Sequence, residues 1–179
     1  MRSRLPLMPA VANRAFVALL LLGATATAPV AAQAAPGPFA NLAGSWTGSG
    51  TIKLAGGTSE RIRCKATYVV EDTGNRLGQK MTCASDSYKL EVTTDVAYKQ
   101  DAGVITGTWL ETTYSTRGFV SGRATASEIK ARVEGKNFFA EIGVMTDGDQ
   151  QSVTIRPRAM DVEEVSVKLQ RRSGRVGAC

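Results

Sequence analysis

The sequence has no histidine and only three cysteines. Histidine supplies the base of the common catalytic triads, the most frequent transition-metal ligand and the usual acid–base group near neutral pH. Its absence argues against all three kinds of site. An enzyme of an unrecognised type is left as a minor alternative. We therefore expect a protein that is not an enzyme and that needs no metal ion or cofactor.

The carboxylates offer the remaining route to acid–base chemistry, and they fall in or beside predicted turns, where solvated acids are common. These acids are Glu71, Asp72, Asp147, Asp149, Asp161, Glu163 and Glu164. The stretch Asp147-Gly148-Asp149 has two oxygen ligands of the kind that calcium prefers, but it lacks the others of a 12-residue calcium loop. A hairpin turn is the simpler interpretation.

The sequence also lacks an apolar run long enough to span a bilayer, which takes about 18 residues or more. The longest run, Phe16 to Leu22, follows three arginines and precedes Ala32-Gln33-Ala34. A charged start, a short apolar core and an A-x-A site are typical of a cleaved signal peptide. We predict a signal peptide over residues 1–34, a periplasmic or secreted location, and no membrane insertion after cleavage.

Removing residues 1–34 lowers the formal net charge from +6 to about +3, because that segment contains three arginines and no acid. This excess is too small to indicate a nucleic acid or an anionic membrane as partner. Three arginines, Arg171, Arg172 and Arg175, cluster near the end of the chain. A solvated tail is favoured for them over a binding patch. The predicted segments after the signal peptide are an irregular leader (35–43), one domain (44–171) and a flexible basic tail (172–179).

Apolar and polar residues alternate through the domain, as they do in half-buried strands, and no segment has a clear helical period. One such strand has inward residues Ile62, Cys64, Ala66, Tyr68 and Val70. Turn signals, such as Asp72-Thr73-Gly74-Asn75, separate the strands. The spacing predicts an all-β fold, an antiparallel up-and-down meander of about eight to ten strands. Because an open sheet would expose its edges, we expect the meander to close into a barrel.

Two cysteines lie at equal distances from the turn at Thr73-Gly74. If the flanking strands pair about that centre, Cys64 faces Cys83, Tyr68 faces Gln79 and Val70 faces Leu77. Directly opposed cysteines have the separation that a disulfide requires. We predict a Cys64–Cys83 disulfide, with two free buried thiols as the alternative. Cys179, the last residue, is left to pair between molecules or to be oxidised or capped.

The first predicted strand begins with Gly44-Ser45-Trp46, after the irregular leader. This G-x-W opening, together with the short strands and "ITGTW" at Ile105 to Trp109, resembles calycin-type barrels, which include lipocalins, avidins and small periplasmic protease inhibitors. The resemblance implies an up-and-down barrel that binds either a small ligand or another protein. Glycines inside the strand patterns, at 48, 50, 107, 118 and 122, indicate bends or close backbone approach.

Five aromatic residues of different strands have, or can have, the inward parity and are the candidate ligand-binding residues: Trp46, Tyr68, Tyr88, Trp109 and Phe138. Core filling is the alternative for all of them. The favoured function is binding of a small apolar ligand by an exported barrel. The other is a periplasmic protein-binding module, an inhibitor or envelope-interaction protein, that acts through loops and leader. A monomer is expected in either case.

Overall fold

The computed structural model describes residues 35–137, 139–158 and 160–173. The predicted signal peptide, the candidate residue Phe138 and Cys179 lie outside the described residues. Within the described part of the chain, no helix is long and apolar enough to cross a membrane.

The described residues form ten antiparallel strands and one short 3-10 turn at Asp72–Gly74. The strands are β1 (Gly44–Leu54), β2 (Ser59–Glu71), β3 (Arg76–Ala84), β4 (Lys89–Lys99), β5 (Val104–Glu111), β6 (Thr116–Ala124), β7 (Glu128–Glu134), β8 (Phe139–Asp147), β9 (Gln150–Arg158) and β10 (Val162–Arg171). Each strand pairs with the next along the chain, and β10 pairs with β1. The prediction of an all-β, closed, up-and-down barrel is confirmed, at the upper end of the expected strand count.

The predicted register between β2 and β3 is also confirmed. Tyr68 faces Gln79 and Val70 faces Leu77, as the symmetric pairing about the turn requires. Cys64 faces Cys83, and the two side chains form a disulfide between buried residues. The alternative of two free thiols is therefore wrong.

Glycines allow the strands to approach closely where the barrel closes. In the pairing of β1 with β10, Gly48 faces Leu169 and Gly50 faces Val167. A Cβ atom at Gly48 would lie 1.8 Å from the carbonyl oxygen of Lys168, so no larger residue fits there. Gly107, Gly118 and Gly122 are equally tight against their neighbouring strands. The structural interpretation of these five glycines is confirmed.

The leader, residues 35–43, covers one end of the barrel, which we call the closed end. The turns after β2, β4, β6 and β8 lie at this end. The Gly37 amide donates to the Thr73 carbonyl at 2.9 Å, and the Phe39 amide donates to the Gly74 carbonyl at 3.1 Å. The side chains of Phe39 and Leu42 are 0% and 3% exposed. The leader lacks strand and helix, as expected, but its apolar side chains fill the barrel end and are not presented to a partner.

Arg171 fastens the leader to the barrel. Its Nε donates to the Asp149 carboxylate at 2.8 Å, and its two terminal nitrogens donate to the Ala43 and Asn41 carbonyls. The guanidinium also lies over the Trp46 ring, 4.4 Å from the ring centroid. The interpretation of Arg171 as part of a solvated basic cluster is wrong. It is the last residue of β10, and pairing opposite Trp46 directs its side chain to the closed end.

Replacing both half-cystines, in a Cys64→Ala and Cys83→Ala variant, should lower the melting temperature. The disulfide closes a loop of 19 residues in sequence separation, which is expected to stabilise the fold by about 3 kcal/mol in the chain-entropy account. Calorimetry of the variant, beside the unmodified protein with and without a reductant, measures the effect. An unchanged melting temperature would show that the disulfide does not brace the barrel.

Replacing Arg171 by methionine should lower the free energy of unfolding by about 1–3 kcal/mol, because three acceptors lose a charged donor while apolar contact with Trp46 is largely kept. Denaturant titration gives the value. Arg172→Met is the matched control, since Arg172 is exposed and directly follows Arg171. Equal stabilities of the two variants would contradict the role given to Arg171.

Candidate functional site

The interior of the barrel divides into two halves along its axis. In the half next to the leader, the inward side chains form a tightly buried core, which includes Trp46, Tyr68, Leu77, Val96, Ile105 and Leu169. In the other half, which ends at the turns after β1, β3, β5, β7 and β9, many inward side chains are only half-buried. We call this second half the open half, and it also contains buried inward residues, among them Ile52, Ile62 and Trp109.

Trp46 and Tyr68 come together in the closed half, as two of the five candidate ligand-binding residues. Their rings meet edge to face, with centroids 6.1 Å apart. The Trp46 indole nitrogen donates to the Leu42 carbonyl at 2.9 Å, and the residue is 0% exposed. The leader and the Arg171 guanidinium both pack against Trp46. Its contacts are those of a core residue.

Tyr68 belongs to a polar chain inside the closed half. Its hydroxyl donates to Oε1 of Gln151 at 2.8 Å, and Nε2 of Gln151 donates to the Thr146 hydroxyl at 3.2 Å. Burial raises the pKa of Tyr68 to about 12, against a smaller opposite effect of the Gln151 hydrogen bond. The phenol therefore stays protonated and remains a donor at neutral pH. Gln151 lies at an inward position of β9 and was not predicted from the sequence. Its signal there is a polar residue on the same strand face as Val153 and Ile155.

The open half is lined mainly by aliphatic side chains. The half-buried inward residues of this region include Leu54, Met81, Leu90, Val92, Val133, Ile155 and Val165. Two polar residues lie in the same wall, since Gln79 of β3 directly faces Thr94 of β4 and both are half-buried. The Gln79 amide nitrogen has only a long contact, 3.7 Å, with the Met81 sulfur. This wall combines apolar surface with one amide and one hydroxyl.

Trp109 lies on the inner side of β5, between Thr94 of β4 and Gly118 of β6. Because Gly118 has no side chain, the indole crosses it, and its nitrogen donates to the Glu134 carbonyl of β7 at 3.2 Å. Trp109 is 8% exposed. It is the candidate aromatic residue that lies beside the Gln79–Thr94 wall.

The other two candidates do not join this group. Tyr88 lies in the turn between β3 and β4, where its backbone pairs with Ser85, and it is 36% exposed. It therefore lies at the open end and not inside the barrel. Phe138 is outside the described residues. The structure thus brings Trp46 and Tyr68 together in the closed half and sets Trp109 apart from them in the wall of the interior.

Glu111 ends β5 at the open end and holds the turn that follows. Its carboxylate accepts hydrogen bonds from the amides of Thr113 at 2.9 Å, Tyr114 at 2.6 Å and Glu91 at 3.2 Å. Burial raises the pKa of this carboxyl, but the amide hydrogen bonds outweigh burial, so the pKa lies below its usual value. Glu111 was not predicted from the sequence, where it appears as one more acid before a polar turn. Its contacts make it a structural carboxylate.

A shallow cleft of about 490 Å³ lies outside the closed end, between the leader and the turn after β8. It contains Asp147 and Asp149, the two acids considered as calcium ligands. Asp149 is paired with Arg171, and Gly148 between them has a φ of 54°, which suits a tight hairpin turn. Among the described residues, no group of three or more acids, cysteines or histidines could hold a metal ion.

Replacing Glu111 by glutamine should lower the free energy of unfolding at neutral pH by about 1.5–3 kcal/mol, because three amides lose a charged acceptor. The lowered pKa means that the carboxylate stabilises the fold above the unfolded pKa, and that this contribution is lost as the pH falls through the folded pKa. Melting temperatures of variant and unmodified protein should therefore converge in acid. Glu141→Gln, on the exposed outer side of β8, is the control. A difference that does not shrink in acid would contradict this account.

No known protein family matches the sequence, and no curated protein matches it either. The fold is similar to the crystal structure of Rv2717c from M. tuberculosis, with a TM-score of 0.58 over 76% of this chain and 94% of that chain. The two sequences are 13% identical, so the likeness concerns the fold alone. A second similar structure is the S-type phycobiliprotein lyase CPES from Guillardia theta, with 12% identity, a TM-score of 0.49, and coverage of 75% of this chain and 90% of that chain.

The prediction that this chain is not an enzyme is contradicted by these comparisons, since one protein of similar fold is described as a lyase. The prediction rested on missing histidines and motifs, and these exclude only certain chemistries. A cavity can also promote a reaction by holding and orienting the reactants. The likeness assigns no reaction to this chain. What the comparisons support is the β-barrel fold.

Proposed function

We propose that the open half of the barrel interior binds a small, mainly apolar molecule. The observation that carries this proposal is the set of aliphatic side chains that face inward and yet are only half-buried. Exposed apolar surface inside a concave wall gains about 25 cal/mol for each Å² that a ligand covers. A ligand of moderate size is therefore held by burial alone, without a charged anchor.

The Gln79–Thr94 pair supports a ligand with one polar group. The amide and the hydroxyl lie side by side on facing strands, within an otherwise aliphatic wall. Few, well-placed polar groups in an apolar pocket are what fix the orientation of a bound molecule. An alcohol, ketone or carboxylic acid on a hydrocarbon frame meets these requirements.

This proposal includes the finer interpretation of the fold as a calycin-type barrel and of the protein as exported to the periplasm or secreted. The ten-stranded meander and the G-x-W opening at Gly44 to Trp46 support the first. The Cys64–Cys83 disulfide supports the second, because disulfides persist in oxidising compartments. The proposed division into leader (35–43), barrel (44–171) and tail (172–179), after a cleaved segment (1–34), belongs to the same proposal.

A periplasmic protein remains the alternative partner. The leader offers little to it, because Phe39 and Leu42 are buried in the barrel. The loops and the outward faces of the strands offer more to such a partner, since Tyr114 and Phe119 are 65% and 71% exposed. Exposed aromatic residues of this kind are common anchors in protein interfaces.

Native mass spectrometry of the protein purified from its own source tests the proposal directly. A co-purifying small molecule that is released on unfolding would support binding in the interior and would identify the ligand. A bare monomeric polypeptide, with no uptake when apolar alcohols, ketones and fatty acids are added, would contradict it. That result would favour the protein-binding alternative.

A filled interior should abolish binding. In a Val92→Trp variant, the introduced indole ring would occupy the space beside the Gln79–Thr94 pair. The affinity for an added fatty acid or for the identified ligand should therefore fall at least tenfold. Thr93→Trp is the matched control, because Thr93 is the next residue of β4 and points outward. Titration calorimetry measures the affinities of both variants. Equal affinities in the two variants, with unchanged melting temperatures, would place the ligand elsewhere.

A further inference from the structure

The outer wall of the barrel has a strongly basic face over strands β10, β1, β2 and β3. Three of its cations point outward from β2 at alternate positions, spaced by about 7 Å. One further cation comes from β10 and one from β3, and all five side chains are exposed. We call this surface the basic face, and its residues are Arg61, Arg63, Lys65, Lys80 and Lys168.

A groove of small hydroxyl side chains runs through the basic face. Lys168 of β10 faces Ser49 of β1, and Ser49 faces Arg63 of β2. Strand β1 therefore lies between the single cation of β10 and the row of three cations on β2, and β10 and β2 are about 10 Å apart. The outward residues of β1 within the groove are Ser45, Thr47, Ser49 and Thr51. The hydroxyl groups thus have a row of cations along one side, on β2, and Lys168 alone on the other.

The charges of the basic face are not neutralised within the protein. None of its five cations takes part in an ion pair among the residues that the structure describes. The acids nearest to these cations in the strand register are Glu164, which faces Lys53 and is paired with Arg156 at 3.0 Å, and Glu91 and Asp95, which flank the residue of β4 that faces Lys80. A cluster of like charges costs free energy through mutual repulsion, and an anionic partner would relieve it.

We propose that the basic face binds an extended anionic polysaccharide that bears sulfate or phosphate groups. Guanidinium groups bind such oxyanions through paired hydrogen bonds, and the hydroxyl floor offers donors and acceptors to the sugar units. The outward side chains of β10, β1, β2 and β3 include no aromatic residue within the described ranges, so they supply no platform for stacking bases of a single-stranded nucleic acid. Their one large apolar group is Val69, which is 57% exposed, and a single valine offers too little apolar surface to insert into a bilayer.

This surface is separate from the barrel interior, because successive residues of a strand point to opposite sides. Cys64 and Ala66 of β2 point inward and are buried, whereas Arg63 and Lys65 point outward. Loss of polysaccharide binding therefore leaves the interior intact. The small net charge argued against a nucleic acid or an anionic membrane as partner. The proposal of a polysaccharide rests instead on the local arrangement of the five cations.

The test is the affinity of the purified protein for fluorescently labelled heparin and for dextran sulfate, measured by anisotropy at several salt concentrations. Binding should weaken steeply as salt rises, because counterions are released on binding. A variant with Arg61→Gln, Arg63→Gln and Lys65→Gln should bind about tenfold more weakly or worse. Its melting temperature should be close to that of the unmodified protein, since all three side chains are exposed.

A matched control removes the same charge from the opposite wall, with Arg117→Gln, Arg123→Gln and Lys136→Gln, which are also exposed. This control should bind heparin within about twofold of the unmodified protein. Equal weakening of the two variants would show that only total charge matters and would overturn the proposal. So would the absence of binding in low salt, or tighter binding to a single-stranded oligonucleotide or to anionic phospholipid vesicles than to either polysaccharide.

Discussion

Closure of the ring between the first and last strands is the constraint on which the rest of the structure depends. An up-and-down meander has two free edges until β1 pairs with β10, and here the two strands approach so closely that Gly48 and Gly50 leave no room for a Cβ atom. The same pairing sets Arg171 opposite Trp46. Arg171, which ends the pairing of β10 with β1, therefore also contacts the leader. Closure of the ring and the covering of its end depend on the same residue.

Covering one end of the barrel leaves burial unevenly distributed in its interior. Phe39, Leu42 and Trp46 concentrate burial in the closed half, and the polar chain from Tyr68 through Gln151 is satisfied there. The open half retains inward aliphatic groups that are not fully covered. A protein with a single close-packed core would gain stability by burying them. Their exposure is understandable if the closed half and the disulfide supply enough stability for the open half to remain accessible to another molecule.

Much of the fold follows from local rules, and residues that depend on distant contacts do not. Alternation and turn chemistry around Thr73-Gly74 specify the β2–β3 register, which places Cys64 opposite Cys83. Arg171 could not be recognised, because its partners, Trp46 and the leader carbonyls, are over 120 residues away in sequence. The surroundings of the inward aromatic residues likewise depend on distant contacts. Parity indicates that Trp46 faces inward, but only the packing of the leader shows that its ring is covered.

The outer wall shows the same limit, because the sequence alone does not reveal which distant strands become neighbours. Alternation predicts that Arg61, Arg63 and Lys65 point away from the core, yet it does not say which charges of other strands lie beside them. Lys168 joins this face only because β10 closes onto β1, about 100 residues after Arg63 in the chain. A modest net charge can therefore coexist with a concentrated basic surface. Ring closure, which joins the two ends of the chain, creates the leader-covered core on the inside and this surface on the outside.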